Sequence, residues 1–198
     1  MRALVVYCHP RAESFTAAVR DRVTGKLAAI GADTRLSDLY ARGFDPVLTA
    51  DEHKAYLDCP ENCAPVTRDV EDLRWCDSLI FVYPTWWYGP PALLKGWLDR
   101  VLLPDVACLM PDDVHTTIRP GLQHITRLGV FTTCGASRWL TFLVGAPGKR
   151  TFLRGVGFLC APRAKKTFAA HYLMDGSSDE SRRRHLDRVD AKLDRLLK

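Results

Sequence analysis

The sequence predicts a three-layer α/β sandwich built on one parallel sheet of five strands, doubly wound in the order 2-1-3-4-5. Three observations lead there. Short runs of apolar, β-branched and aromatic residues, at 3–8 and 79–83, have no polar face and suit strands buried on both sides. Segments of helical periodicity separate these runs, as crossovers between parallel strands require. Polar or aromatic turns stand at the strand ends, where ligands of open α/β sheets sit.

Residues 3–8 form the first strand. A polar turn, His9 to Thr16, leads into a helix carrying Val19, Val23, Leu27 and Ile30, which Gly31 ends. A helix N-terminus so close to a strand end favours anions, above all phosphate. Ser14 and Thr16 add hydroxyls, and His9 and Arg11 add donor or cationic groups. The turn lacks the glycine fingerprint of a classical dinucleotide site, and Ser14 also suits a plain N-cap. Residues 33–38 read as a more polar second strand, 41–64 as irregular with a short helix near 50–57, and 66–76 as a helix. Cys59 and Cys63 lie four apart, but a metal site needs more ligands than the nearby His53, so no metal is expected.

The stretch 79–101 carries the most information. After the strand 79–83, Pro84 is expected to stop the ladder because it has no N–H to give. Thr85 then leads into Trp86, Trp87 and Tyr88, a plausible floor for a flat, stacked ligand. Gly89-Pro90-Pro91 opens a helix with Leu94, Trp97, Leu98 and Val101 on its apolar face and Lys95, Asp99 and Arg100 on the other. Trp97 belongs to the core or to a dimer interface by this spacing, rather than to an active site. A long connection, 104–124, precedes the strand at 128–131. The small polar turn 132–137 follows it, and would share one crevice with 84–89 if the two strands are neighbours. Pro147 opens a helix to about Cys160, 164–173 make the last strand, and 179–198 close the chain as an amphipathic helix.

The 198 residues, 47% hydrophobic and 26% charged, are expected to form a single domain, residues 1–198. No apolar run suggests a membrane span and no secretory leader is read, so membrane insertion is not expected. Seven cysteines, an odd number mostly within apolar runs, point to free thiols and a cytoplasmic location. The net charge of +5 is uneven: residues 149–198 hold 13 Lys and Arg against 6 Asp and Glu. A solvated helix face with a few anion-binding residues accounts for this, and no nucleic-acid partner is expected.

Taken together, 9–16, 37–40, 84–101 and 132–135 resemble the flavodoxin-fold NAD(P)H:quinone oxidoreductases, the DT-diaphorase group and its bacterial relatives. The segment Gly-Pro-Pro-Ala-Leu-Leu-Lys-Gly-Trp-Leu-Asp-Arg-Val is the most distinctive part. The resemblance implies a flavodoxin-like domain, usually a homodimer, with non-covalent FAD or FMN at the C-terminal edge of the sheet. It assigns His9, Ser14, Phe15 and Thr16, with Arg11 beside them, to the phosphate part. Pro84, Thr85, Trp86, Trp87 and Tyr88 would line one side of the flavin ring, and Thr132, Thr133, Cys134 and Gly135 the other. It further implies a ping-pong reaction in which NAD(P)H reduces the flavin and a quinone-like acceptor takes two electrons. No catalytic side chain is assigned. Well-known members carry a Tyr and a His after the Thr-Thr turn, whereas 137–148 here contain neither.

Two other readings compete. A flavin- or nucleotide-binding ancillary subunit of a transport protein would use the basic C-terminal region to dock an acidic partner. A one-electron carrier would need the acidic surface and phosphate loop that this chain lacks. Lys149 and Arg150 are candidates for the 2′-phosphate of NADPH, Cys134 suits packing better than redox chemistry, and His171 suits a structural role.

Overall fold

Where each apolar run can be buried dictates the architecture. The computed structural model describes the whole chain, residues 1–198. Strand β1 (Arg2–Tyr7), helix α1 (Phe15–Ala29), β2 (Asp33–Asp38), α2 (Ala50–Lys54), α3 (Thr67–Trp75), β3 (Ser78–Thr85) and α4 (Ala92–Val101) come first. The long connection after α4 holds a small antiparallel ladder, β4 (Cys108–Leu109) with β5 (Arg119–Pro120). Then follow β6 (Arg127–Cys134), α5 (Arg138–Leu143), α6 (Pro147–Arg150), a π-helical stretch (Thr151–Val156), α7 (Gly157–Leu159), β7 (Lys165–His171) and α8 (Asp179–Leu197). The five long strands are all parallel and lie in the order β2-β1-β3-β6-β7, which is the 2-1-3-4-5 order expected.

Alternation along the central strands supplies two cores. Leu4, Val6, Leu79, Phe81, Tyr83, Leu128 and Val130 face one side, against Leu73 of α3, Leu94 and Trp97 of α4, and Phe152 of the π-helical stretch. Val5, Tyr7, Ile80, Val82 and Phe131 face the other, against Val19, Val23 and Leu27 of α1 and Val189 and Leu193 of α8. Trp97 is a core residue, as its spacing predicts.

A few buried polar groups tie the irregular segment 41–64 to this frame. The Asp69 carboxylate accepts from Arg42 at 2.7 and 2.6 Å and from Trp97 Nε1 at 2.6 Å. A buried carboxylate so satisfied fixes its partners, because removing any one leaves a costly unpaired charge or donor. Arg100 corrects the sequence reading. It is buried rather than on the solvent face, because its guanidinium donates to the Asp45 carbonyl and to Glu52.

Pro84 is a second correction, since β3 runs through it to Thr85. The Cys8 N–H donates to the Val82 carbonyl at 3.0 Å, so Val82, and Pro84 two residues on, turn their backbone edges toward β1. The register with β1 ends at Tyr7↔Val82, while that with β6 continues through Pro84↔Thr133 and Thr85↔Cys134. The missing N–H therefore falls where no ladder remains. Residues 137–148 contain α5, with Ser137 as its N-cap accepting from Leu140 N–H at 3.1 Å.

Gly96 lies where α4 crosses the chain at Pro46, and a Cβ there would overlap the Pro46 backbone. Gly96→Ala is expected to cost roughly 2 kcal/mol, read as a lower urea midpoint. Gly25→Ala, in open space on α1, should instead raise the midpoint through better helix propensity. Equal midpoints for both variants would refute the close crossing.

Candidate functional site

The neighbouring ends of β3 and β6 carry two turns that face each other across a cavity of 610 Å³. His9, the run Pro84 to Tyr88, the run Thr133 to Ala136, and Met174 with Asp175 line it. The volume lies within the range that holds a cofactor-sized molecule.

The aromatic turn is a tight hairpin. Trp86 N–H donates to the Gly89 carbonyl at 3.1 Å and Gly89 N–H to the Trp86 carbonyl at 3.0 Å. Between them Trp87 and Tyr88 have φ of 47° and 62°, in the left-handed region that such turns usually give to Asn and Gly. Bulky residues there cost on the order of 1–2 kcal/mol each. Neither N–H finds a partner in the chain, and the Trp87 side chain is 95% exposed. Packing does not offset that strain at Trp87.

Hydroxyls stitch the opposite wall. Thr133 Oγ1 and Thr16 Oγ1 lie 3.0 Å apart, joining β6 to α1, and Thr132 Oγ1 and Thr85 Oγ1 lie 2.8 Å apart, joining β6 to β3. Thr132 and Thr16 thus sit behind the cavity wall. Ser14 caps α1, accepting from Ala17 N–H at 3.0 Å, while the N–H groups of Phe15 and Thr16 have no partner in the chain. The Phe15 side chain does not line the cavity. It packs against His171 and His185, at ring distances of 5.3 and 5.9 Å, leaving only its N–H for an anion. Arg11 is exposed and outside the lining, but its backbone holds the His9 ring through Nδ1 at 3.0 and 3.1 Å. Burial keeps His9 below its ordinary histidine range.

Ala136, Met174 and Asp175 are lining residues that the sequence reading missed. The turn after β7 reaches the cavity because Leu173 adopts φ 54° and donates its N–H to the Ala136 carbonyl at 3.2 Å. Gly135 admits it: a Cβ there would lie 2.9 Å from Asp175 Oδ2. Asp175-Gly176, a turn dipeptide just after a strand, was the available signal. A small enclosed pocket beneath Tyr88 shares Thr85 and Cys134 with the cavity and also touches Tyr83, Tyr172 and Lys149. Lys149 and Arg150 stand outside the main cavity, on a hollow of their own. All seven cysteines are free, and no group of three or more His, Cys, Asp or Glu is placed to hold a metal. No helix is long and apolar enough to cross a membrane.

Comparison with known proteins bears on the fold. A protein family described as having a flavodoxin-like fold matches residues 1–193. The chain belongs to that family. The uncharacterized NAD(P)H oxidoreductase YcaK of Escherichia coli (strain K12) is 34% identical over 101 residues, covering 50% of this chain and 52% of that protein. The ribosyldihydronicotinamide dehydrogenase [quinone] of Homo sapiens is 29% identical over 126 residues, covering 56% and 54%. The matches thus span about half the length of these curated relatives. Among solved structures, Smu.1420 from Streptococcus mutans UA159 superposes with a TM-score of 0.78 at 28% identity, covering 96% of this chain and 97% of that one. The NAD(P)H:quinone oxidoreductase from Methanothermobacter marburgensis does so at 0.74 and 24% identity, covering 96% and 93%, and shows the shared fold.

Two measurements test the strained and buried parts of the site. Trp87→Gly relieves the left-handed strain without losing packing, so it should raise stability by up to about 1 kcal/mol in urea unfolding of the ligand-free protein; a clear loss would mean the ring is packed. His185 is 2% exposed with neither ring nitrogen bonded, and burial first, then His171 and Arg188, pushes its pKa down to about 4. The unfolded chain protonates near 6.5, so this stability is fully present above that pH and drains away as pH falls toward 4, by up to about 3 kcal/mol. His185→Leu should flatten the fall in Tm between pH 6.5 and 4.5, and an unchanged slope would reassign it.

Proposed function

We propose that this chain is a flavin-dependent NAD(P)H oxidoreductase that reduces quinones or related electrophilic acceptors by two electrons in a ping-pong cycle. One observation carries the reading. A strained aromatic hairpin with two unpartnered N–H groups faces a Thr-Thr-Cys-Gly turn across a cofactor-sized cavity at the C-terminal edge of the sheet. The relatives' names point the same way, as NAD(P)H oxidoreductase and quinone dehydrogenase.

The residues present fit FAD or FMN. The unpartnered Phe15 and Thr16 N–H groups at the α1 N-terminus suit a phosphate, with the Ser14 hydroxyl at the same helix end and Arg11 in the preceding turn. His9 meets the cavity beside them. Pro84, Thr85 and the faces of Trp86 and Tyr88 bound a flat ring on one side, and Thr133, Cys134 and Gly135 on the other, backed by Thr132. The N–H groups of Trp87 and Tyr88 offer fixed donors to a polar ring edge, at no reorganisation cost during reaction. A bound flavin supplies the two-electron chemistry, taking electrons from NAD(P)H and yielding them to the acceptor. The chain's part is to hold the ring, keep its polar edge bonded and leave one face open for donor and acceptor in turn. With no Tyr or His in 137–148, the titratable side chains that line the cavity are His9, Tyr88, Cys134 and Asp175.

A homodimer and a cytoplasmic location belong to the same reading. Helix α5 leaves Trp139, Leu140 and Leu143 exposed side by side with Val144, an apolar face that a second copy would cover. Free, mostly buried thiols suit a reducing compartment.

The purified protein is expected to show a flavin absorption spectrum that bleaches on anaerobic addition of NADPH, and to sediment at twice the chain mass. A colourless protein that takes up neither FAD nor FMN would overturn the enzyme reading, and a monomer would overturn the dimer.

A further inference from the structure

From residue 114 to residue 174 the chain has no Asp or Glu but nine Lys and Arg. Three of these cations, Lys149, Arg150 and Arg154, line a hollow of 250 Å³ together with Phe142 and Leu153. The ion pairs of the chain use none of the three. Unpaired cations grouped on one concavity repel one another, so an arrangement of this kind gains from a bound anion.

The local backbone builds the hollow. Gly145 has φ 90° and Ala146 φ 48°, a left-handed pair that swings the chain into α6. The Arg150 guanidinium folds back over Gly145, with Nη1 3.4 Å from where a Cβ would stand. Lys149 leans over the Phe168 ring, its Nζ 5.5 Å from the centroid. The start of α6 is also fastened to the aromatic hairpin, because Gly148 N–H donates to the Tyr88 carbonyl at 2.9 Å. The enclosed pocket beneath Tyr88 shares Ala146 and Lys149 with the hollow and Thr85, Tyr88 and Cys134 with the main cavity, so it joins the two.

We propose that this hollow binds the 2′-phosphate of NADPH and makes the phosphorylated dinucleotide the preferred donor, an inference that rests on the oxidoreductase reading above. A phosphate monoester is close to doubly charged at neutral pH and accepts several hydrogen bonds at once, which suits two guanidinium forks and an ammonium. Phe142 and Leu153 give the adjoining adenine an apolar wall. The 2′-phosphate sits at the far end of the dinucleotide from the nicotinamide. A phosphate site beside the cavity rather than inside it therefore fits a donor, whereas an acceptor must meet the flavin ring itself.

The test is calorimetric binding of adenosine 2′,5′-bisphosphate and adenosine 5′-monophosphate to the full-length, flavin-loaded protein. The wild-type chain should bind the bisphosphate at least about tenfold more tightly, by the usual strength of charge-assisted hydrogen bonds. That advantage should shrink as salt rises. Lys149→Ala with Arg150→Ala should erase it, and Lys149→Arg with Arg150→Lys should restore most of it, which a merely structural role would not do. The ratio of kcat/KM for NADPH over NADH should fall by a similar factor in the double alanine variant. Equal wild-type affinities, or a preference that survives the double alanine change, would overturn the proposal. Wild-type protein that oxidises neither dinucleotide would overturn the oxidoreductase reading instead, and the binding comparison still decides the hollow.

Discussion

The site depends on the pairing of β3 with β6. Their register carries on past the point where β3 loses β1, so that Pro84 stands opposite Thr133 and Thr85 opposite Cys134. Two strand ends held side by side deliver two turns to one place, the aromatic hairpin and the Thr-Thr turn. The β1–α1 turn reaches the same edge because β1 is the next strand over, and the Thr16–Thr133 hydroxyl contact ties α1 to β6. A cavity at the carboxyl ends of parallel strands follows from the order in which these strands are laid down.

Around that cavity the chain accepts most of its left-handed strain. Of the five non-glycine residues in that region, Trp87, Tyr88, Leu173 and Ala146 lie in turns next to the cavity or the hollow, and Asp105 lies in the connection after α4. Paired backbone hydrogen bonds hold the hairpin closed, and single ones anchor Leu173 to Ala136 and Gly148 to Tyr88. Strain concentrated in this way is typical of backbone shaped for a ligand rather than for stability. Gly135 serves the opposite purpose, being small so that Asp175 can approach.

Charge is organised with similar economy. Carboxylates are used inside the fold where they have work to do as acceptors: Asp69 for Arg42 and Trp97, Glu52 for Arg100, and Asp72 for Arg35 at 2.7 Å. The first two pin 41–64 against α3 and α4, and the third ties β2 to α3. Residues 114–174 hold no carboxylate, and the cations of α6 and the π-helical stretch stay without an ion pair.

The sequence by itself determined the layers, the strands and the turns that carry chemistry, because burial on both faces leaves a strand no polar positions and helical crossovers leave a 3.6-residue period. Leu79 to Tyr83, the helix after the His9–Thr16 turn, the aromatic run at 86–88 and the Thr-Thr turn were all legible in the sequence. Tertiary structure decided what periodicity cannot carry. Whether Pro84 ends a strand depends on which neighbour its missing N–H faces. Whether Arg100 meets water depends on a distant carboxylate and carbonyl, and whether Phe15 points to a ligand depends on two histidines more than 150 residues away. Asp175 joined the site only because a glycine in another strand's turn left room for it. In each case the deciding partner is far along the chain, and only the folded backbone brings it within reach of a hydrogen bond or a van der Waals contact.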